Sequence, residues 1–218
     1  MTEFELIAND TSVLLNSLDL HWTARQGPAG LPVLVCRFGE SGRKDRPEPG
    51  EIPGWRPLDR VADAHPWAVN EASFQWGGRE LFVLERACRE AVRLEDLGGF
   101  LAREGAALPT GKDQAEELTF SLPTPTNLYG MGQRSGPLER TGLLCHNWTT
   151  DKPVGHNRVT DPLYQAHPLL WGATDNAWWA MLFCHSGYSQ FDLSQSQSQT
   201  LKIRLLGETA VVQLHAAD

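Results

Sequence analysis

The chain has 218 residues, with 27 acidic side chains against 19 basic ones and a formal net charge of −8. A domain of this size can bury roughly 70% of the surface that its unfolded chain exposes, so a substantial core is attainable. The longest basic run is Arg43-Lys44-Asp45-Arg46, which argues against a nucleic-acid partner, because neutralising phosphates needs a concentrated positive face.

The first residues, Met1-Thr2-Glu3-Phe4-Glu5-Leu6, show neither a basic segment nor an apolar one of the kind a secretion signal carries. No run reaches the roughly 18 apolar residues of a membrane span, and a soluble, cytoplasmic protein with no membrane partner is expected. Cys36, Cys88, Cys145 and Cys184 are far apart, with no Cys-x-x-Cys spacing. They read as buried free thiols rather than a zinc or redox site. The sequons at Asn9 and Asn147 are read as chance matches, since no secretion signal delivers them to the glycosylation machinery.

In chain order, the first abrupt change of composition falls between Gly39 and Trp67. Pro47, Pro49, Pro53, Pro57 and Pro66 remove backbone donors there, and Gly39, Gly42, Gly50 and Gly54 loosen the chain. Residues 39–67 therefore read as a long loop or insertion, with Leu58 to Ala64 able to form about two helical turns. Period-2 alternation, the mark of strands with one buried face, then dominates. It predicts strands at Leu81–Leu84 and Ala91–Glu95, with Gly98-Gly99 turning the latter into Phe100–Arg103 as a hairpin. Further strands are expected at Leu118–Leu122, Trp178–Cys184, Leu201–Leu205 and Val211–Leu214. Ser194 to Gln199 alternates Ser and Gln between two of these and reads as a solvated turn or edge. No stretch sustains a helical period. Many short strands with Gly/Pro-rich connections predict an all-β fold, specifically a β-sandwich.

Tyr129-Gly130-Met131-Gly132-Gln133-Arg134-Ser135 has two glycines at dinucleotide-turn spacing, but Ser135 stands where the third should be and Pro137 follows. With no amphipathic helix to hold a pyrophosphate, the glycines read instead as sites of sharp bending and close backbone approach. His146, His156, His167 and His185 lack metal-ligand spacing, so neither a metal nor any other cofactor is expected. The richest stretch runs from Asn147-Trp148-Thr149-Thr150-Asp151 through Pro153 and Gly155 to Asp161-Pro162-Leu163-Tyr164. It combines carboxylates, amides, an indole and a phenol on an irregular loop. A sugar site needs that mixture, because carboxylates accept from hydroxyls while aromatic faces cover the ring's C–H surface. A structural loop whose aspartates cap turns is the alternative left open by composition.

In this stretch the sequence resembles the N-terminal domain of glycoside hydrolase family 31. The family's Tyr-Gly-x-Gly-Glu motif, Gly-Pro-Leu, Asn-x-Asp loop, Pro-Leu-Tyr and returning aromatic-Asp strand have counterparts, in the same order. These are Tyr129–Gln133, Gly136-Pro137-Leu138, Thr149-Thr150-Asp151, Asp161–Tyr164 and Tyr188–Leu193. Gln133 replaces the family's Glu, and Thr149 stands where Asn usually precedes the loop Asp.

The resemblance implies a galactose-mutarotase-like sandwich spanning 1–218, attached in the family to a catalytic (β/α)₈ barrel that is not expected within this chain. Retaining hydrolysis uses two carboxyl groups about 5–5.5 Å apart. In the family both are barrel Asp residues, so no catalytic residue is expected here, and the chain resembles a fragment, a truncated product or a separately encoded subunit. By the same resemblance, Asp151 is the loop carboxylate that reaches toward a sugar hydroxyl, with Tyr164 either a companion or an anchor of the loop; Trp148, from the residue mixture of the stretch, is the third candidate substrate-binding residue. The implied partners are an α-linked oligosaccharide or glycoside and the barrel. Two other functions stay open at this point. One is a stand-alone carbohydrate-binding or aldose-epimerase-like sandwich, drawing a His acid from His146 or His185 and a base from Glu139; the other is a structural domain without a sugar site.

Overall fold

A computed structural model describes residues 11–15, 18–26, 32–40, 56–57, 67–70, 72–91, 114–122, 125–151, 155–158, 160–185, 187–194, 199–206 and 211–217. All of its regular elements are strands, fifteen in number among the described residues. They are β1 (Thr11–Leu15), β2 (Leu18–Gln26), β3 (Pro32–Glu40), β4 (Arg56–Pro57), β5 (Trp67–Asn70), β6 (Ser73–Trp76), β7 (Arg79–Ala91) and β8 (Gln114–Ser121). The chain continues with β9 (Asn127–Gly130), β10 (Leu144–Asn147), β11 (Leu169–Ala173), β12 (Trp178–Cys184), β13 (Ser189–Asp192), β14 (Thr200–Leu206) and β15 (Val211–Ala217).

One sheet runs β1-β2-β3-β15-β12-β11-β9, with β4 beside β2, and the other runs β10-β13-β14-β8-β7-β6-β5. Every pairing is antiparallel. The alternation visible in the sequence becomes two facing surfaces: Trp179, Met181 and Phe183 of β12 are buried, as are Leu201, Ile203 and Leu205 of β14. Phe82 is the joint between the sheets. It stacks on Phe74 at 4.9 Å and meets Phe120 of its own sheet and Trp179 of the other edge-on, at 5.8 and 5.5 Å. Trp22 extends the cluster through Phe74 at 5.9 Å. Edge-to-face pairs at these spacings suit the ring quadrupoles and add to the area buried.

The expected β-sandwich is what the chain forms. The strand expected at Leu81–Leu84 is longer, because a register shift between Leu84 and Arg86 absorbs one residue. Phe82 and Leu84 face inward before the shift and Ala87 after it, so the bulge keeps the strand going where simple period-2 counting ends it. Gly39 and Glu40, placed in the insertion from sequence, close β3, and Trp67 opens β5. The Leu58–Ala64 turns and the Phe100–Arg103 hairpin lie outside the described residues, as does most of residues 39–67. Cys88 and Cys145 are buried thiols, but Cys184 is exposed, a correction to the expectation of burial. It occupies an outward position of β12, where its Sγ accepts a hydrogen bond from Gln213 Nε2.

On the outer side of the second sheet, Glu117 is buried beneath Arg204, Arg86 and Lys202, with N···O distances of 2.7, 3.2 and 3.5 Å. Three cations thus screen one carboxylate. On the outer side of the first sheet, Tyr129, Trp171 and Trp178 form a stack with ring centroids 4.7 and 5.3 Å apart. Trp178 remains 48% exposed. No helix among the described residues is long and apolar enough to cross a membrane.

Two outcomes follow from this packing. Phe82→Ala is expected to lower stability by about 3–5 kcal/mol, the range for a fully buried aromatic, measured as a shift in the urea midpoint at constant slope. Burial also pulls the His215 imidazole below its ordinary value of 6.5. The unfolded chain therefore takes up a proton that the folded one resists, and the stability held above pH 6.5 falls as pH drops through the folded value. His215→Gln is expected to flatten that loss, seen by comparing urea midpoints on either side of the window.

Candidate functional site

Polar side chains gather at one end of the sandwich, where β10, the glycine turn after β9 and the loop that follows β10 meet. The turn comes first. Gly130, Met131 and Gly132 all have positive φ, at 102°, 69° and 78°. A Cβ at Gly130 would lie 2.3 Å from the Leu169 carbonyl oxygen, and one at Gly132 would lie 2.7 Å from backbone atoms of Gln165 and His167. Glycine is needed at both places because the turn presses directly against the 165–169 backbone, and not because a phosphate approaches it. Two hydrogen bonds lace that seam, Met131 N–H to the Leu169 carbonyl and Gln133 N–H to the Gln165 carbonyl.

The turn delivers Arg134 into the interior, its side chain only 4% exposed. Its guanidinium donates in three directions: Nε to the Met131 carbonyl at 2.9 Å, Nη2 to the His146 carbonyl at 2.8 Å, and Nη1 to Asp161 Oδ1. Asp161 in turn accepts the His146 backbone N–H on Oδ2 at 2.8 Å. Burial pulls the guanidinium below its ordinary value. It stays charged, and the carboxylate and two carbonyls replace the lost water. One cation thereby ties the glycine turn, β10 and the far end of the loop together. Burial beside it pushes the Cys145 thiol up. Tyr188, also buried, has its phenol pushed up from 10 and shares a 2.6 Å hydrogen bond with His146 Nδ1.

The loop leaves β10 at Asn147 and closes when the Thr150 N–H donates to the Leu163 carbonyl at 3.0 Å. Asp151 and Tyr164 are the next residues along the two arms. Asp151 is exposed, as a group offered to a ligand must be. Tyr164 is 39% exposed, and its hydroxyl lies 2.9 Å from His156 Nε2 with the rings edge to face. It ties the two arms of the loop to each other. Trp148 is half-buried, 6.2 Å from the Tyr188 ring, and lines a cavity of about 320 Å³ together with Asn147, Thr149, Ala166, Pro168, His185 and Gly187. Of the three residues singled out from sequence, only Trp148 lines this cavity; Asp151 and Tyr164 stand elsewhere on the loop.

Glu139, His146 and His185 do not form an acid–base pair here. Glu139 Oε1 accepts the backbone N–H groups of Thr141 and Leu128, at 2.9 and 3.3 Å, as a turn anchor. His146 faces Tyr188, and His185 Nε2 donates to the Leu206 carbonyl at 3.1 Å. Sequence reasoning missed Arg134 and Asp161 as a pair, because their 27-residue separation carries no local signal. Asn147 and Ser189 could have been found: both are polar on the inward phase of strands whose neighbours Cys145 and Phe191 are core residues.

Two antiparallel sheets closed face to face, with a pinned polar loop across one end, define a β-sandwich domain whose polar side chains gather at that end. The model of the glycosyl hydrolase 31 N-terminal galactose mutarotase-like domain matches residues 56–192, and the chain belongs to that family. Alpha-glucosidase 2 of Bacillus thermoamyloliquefaciens is 29% identical over 138 residues, which cover 63% of this chain and 18% of that protein. Among solved structures, the Flavobacterium johnsoniae family 31 dextranase complexed with glucose superposes with a TM-score of 0.59 at 13% identity, over 100% of this chain and 26% of the other. The alpha subunit of glucosidase II gives 0.55 at 10% identity, over 99% and 32%. The chain thus spans about a fifth to a third of the length of these relatives, and the structural likenesses speak for the fold.

Arg134→Met, which keeps the side chain's length but strands Asp161 and two carbonyls, is expected to cost about 3–5 kcal/mol. Lysine will restore little, since one ammonium cannot serve three divergent acceptors. Urea denaturation measures the loss, and faster amide exchange at Thr150 would locate it in the loop.

Proposed function

We propose that this domain serves a retaining α-glycosidase by lending the 147–164 loop to a (β/α)₈ catalytic barrel, covalently joined or supplied as a separate chain. Asp151 accepts a substrate hydroxyl, Trp148 offers an apolar face, and Tyr164 holds the loop in shape. The observation that carries this reading is the exposed carboxylate of Asp151 on a loop pinned at its base by Arg134–Asp161 and by Thr150–Leu163. A charged group held out on a fixed arm is wasted on the domain's own stability and suited to a ligand. Membership of the family supports the pairing with a barrel. The outer strip of Trp178 and Leu169, 48% and 38% exposed, gives such a partner an apolar surface to cover. The substrate class is an α-linked oligosaccharide or glycoside, and the setting is cytoplasmic.

The catalytic Asp pair belongs to the barrel in this reading, so hydrolysis of nitrophenyl α-glycosides is expected only when a family 31 barrel is present with the chain. Activity of the isolated 218-residue chain would overturn it. In the assembled enzyme, Asp151→Ala is expected to lower kcat/KM about tenfold to a hundredfold, the value of one charge-assisted hydrogen bond. Asp151→Asn, which keeps an acceptor but loses the charge, should fall between.

A further inference from the structure

The cavity beside Trp148 has properties that the role of Asp151 does not use. It lies at the open end of the sandwich: Asn147 closes β10 in one sheet, while Pro168 precedes β11 and His185 follows β12 in the other. Among the described residues, none that lines it is Lys, Arg, Asp or Glu, so the described wall offers no charged group for a phosphate or a carboxylate. Its volume of about 320 Å³ falls at the small end of ligand sites, where a single ring fits.

Its wall contains an unmet polar group. Asn147 is 5% exposed, and its Oδ1 has no hydrogen-bond partner among the described residues. Ser189, paired directly with Asn147 across β10 and β13, is fully buried, and its Oγ lacks a partner among them too. Two such groups side by side are rare in a packed interior, where nearly every buried polar atom is satisfied. The last torsion of an asparagine is broad, so a rotation of the Asn147 amide turns its acceptor toward the cavity that the residue lines. On the neighbouring wall, Trp148 supplies an aromatic surface.

We propose that this cavity is a binding subsite for one neutral pyranose ring, with the Asn147 amide exchanging hydrogen bonds with its hydroxyls and Trp148 covering its C–H face. The subsite rests on the sugar-directed reading of the loop for the choice of ligand, but it needs neither Asp151 nor a barrel. Its test can therefore be run on the isolated chain and can fail or succeed independently of that reading.

The full chain is titrated with methyl α-D-glucopyranoside, and with tetrahydropyran as a ring of the same shape without hydroxyls, following the Trp148 indole resonance by NMR. A resonance assigned with Trp148→Phe is expected to shift with a dissociation constant in the millimolar range for the glucoside, and about tenfold or more weaker for tetrahydropyran. Asn147→Leu, which removes the amide while keeping the bulk, should weaken glucoside binding by at least about tenfold. Because Asn147 is buried and its replacement could disturb folding, Ala166→Phe provides a second route: it fills the cavity from a half-buried loop position and should abolish the shift. Equal binding of tetrahydropyran would reveal an apolar socket rather than a sugar site. Glucoside binding that survives Ala166→Phe would place the ligand elsewhere, and absence of a Trp148 shift would remove the proposal altogether.

Discussion

The contact on which the fold depends is the meeting of Phe82 with Trp179 across the two sheets. Strands of one sheet are held by their own ladders, but nothing in a ladder says which face another sheet should cover. That choice comes from burying large inward side chains against each other, and here the largest of them, Trp179, Phe74, Phe82 and Phe183, are almost wholly removed from water. Once the aromatic cluster sets the separation of the sheets, the shorter inward residues of β8 and β14 fall into the remaining space. The bulge in β7 belongs to the same constraint, since it returns Ala87 to the inner face after two charged residues, Glu85 and Arg86, interrupt the alternation.

At the sandwich end the packing changes character. Aromatic and aliphatic contacts give way to Asn147 and Ser189, the end pair of the β10–β13 ladder, and to Arg134, Asp161 and Tyr188 on irregular backbone. A buried ion pair adds little net stability beyond what apolar residues in place of both partners would supply, but it fixes direction: three donors at set angles allow one arrangement of three segments. The loop carrying Trp148 and Asp151 inherits that fixed base. The hydrogen bonds at that base hold the start of the arm, from Asn147 to Thr150, against the stretch of chain that returns at Asp161 and Leu163.

Several residues illustrate what could be read in the sequence. Trp178 to Cys184 is a strand of unbroken alternation, and its buried and exposed positions fall where the period places them. Gly130 and Gly132 announced a tight backbone approach, and the Leu169 and Gln165 carbonyls are what they approach. By contrast, β10 spans only Leu144–Asn147 and β9 only Asn127–Gly130. Four residues are too few for a period to show against noise, so these strands acquire their identity from β13 and β11, beside which they lie. The outward placement of Cys184 also escaped a reading based on residue type, because thiols are usually buried.

By itself the sequence determined the class of fold and the polar stretch that matters, since both are recorded locally: alternation marks each buried face, and Pro, Gly, Asp and Trp cluster within a single loop. Tertiary structure alone decided where those residues stand and what they touch. It paired Arg134 with Asp161, set Asn147 against Ser189, left Asp151 in the open and bound the Tyr164 hydroxyl to His156. The physical reason is range. A period or a turn is an interaction among near neighbours in the chain, whereas a buried charge pair or a cavity wall is made by residues tens of positions apart that meet only after the sheets have closed.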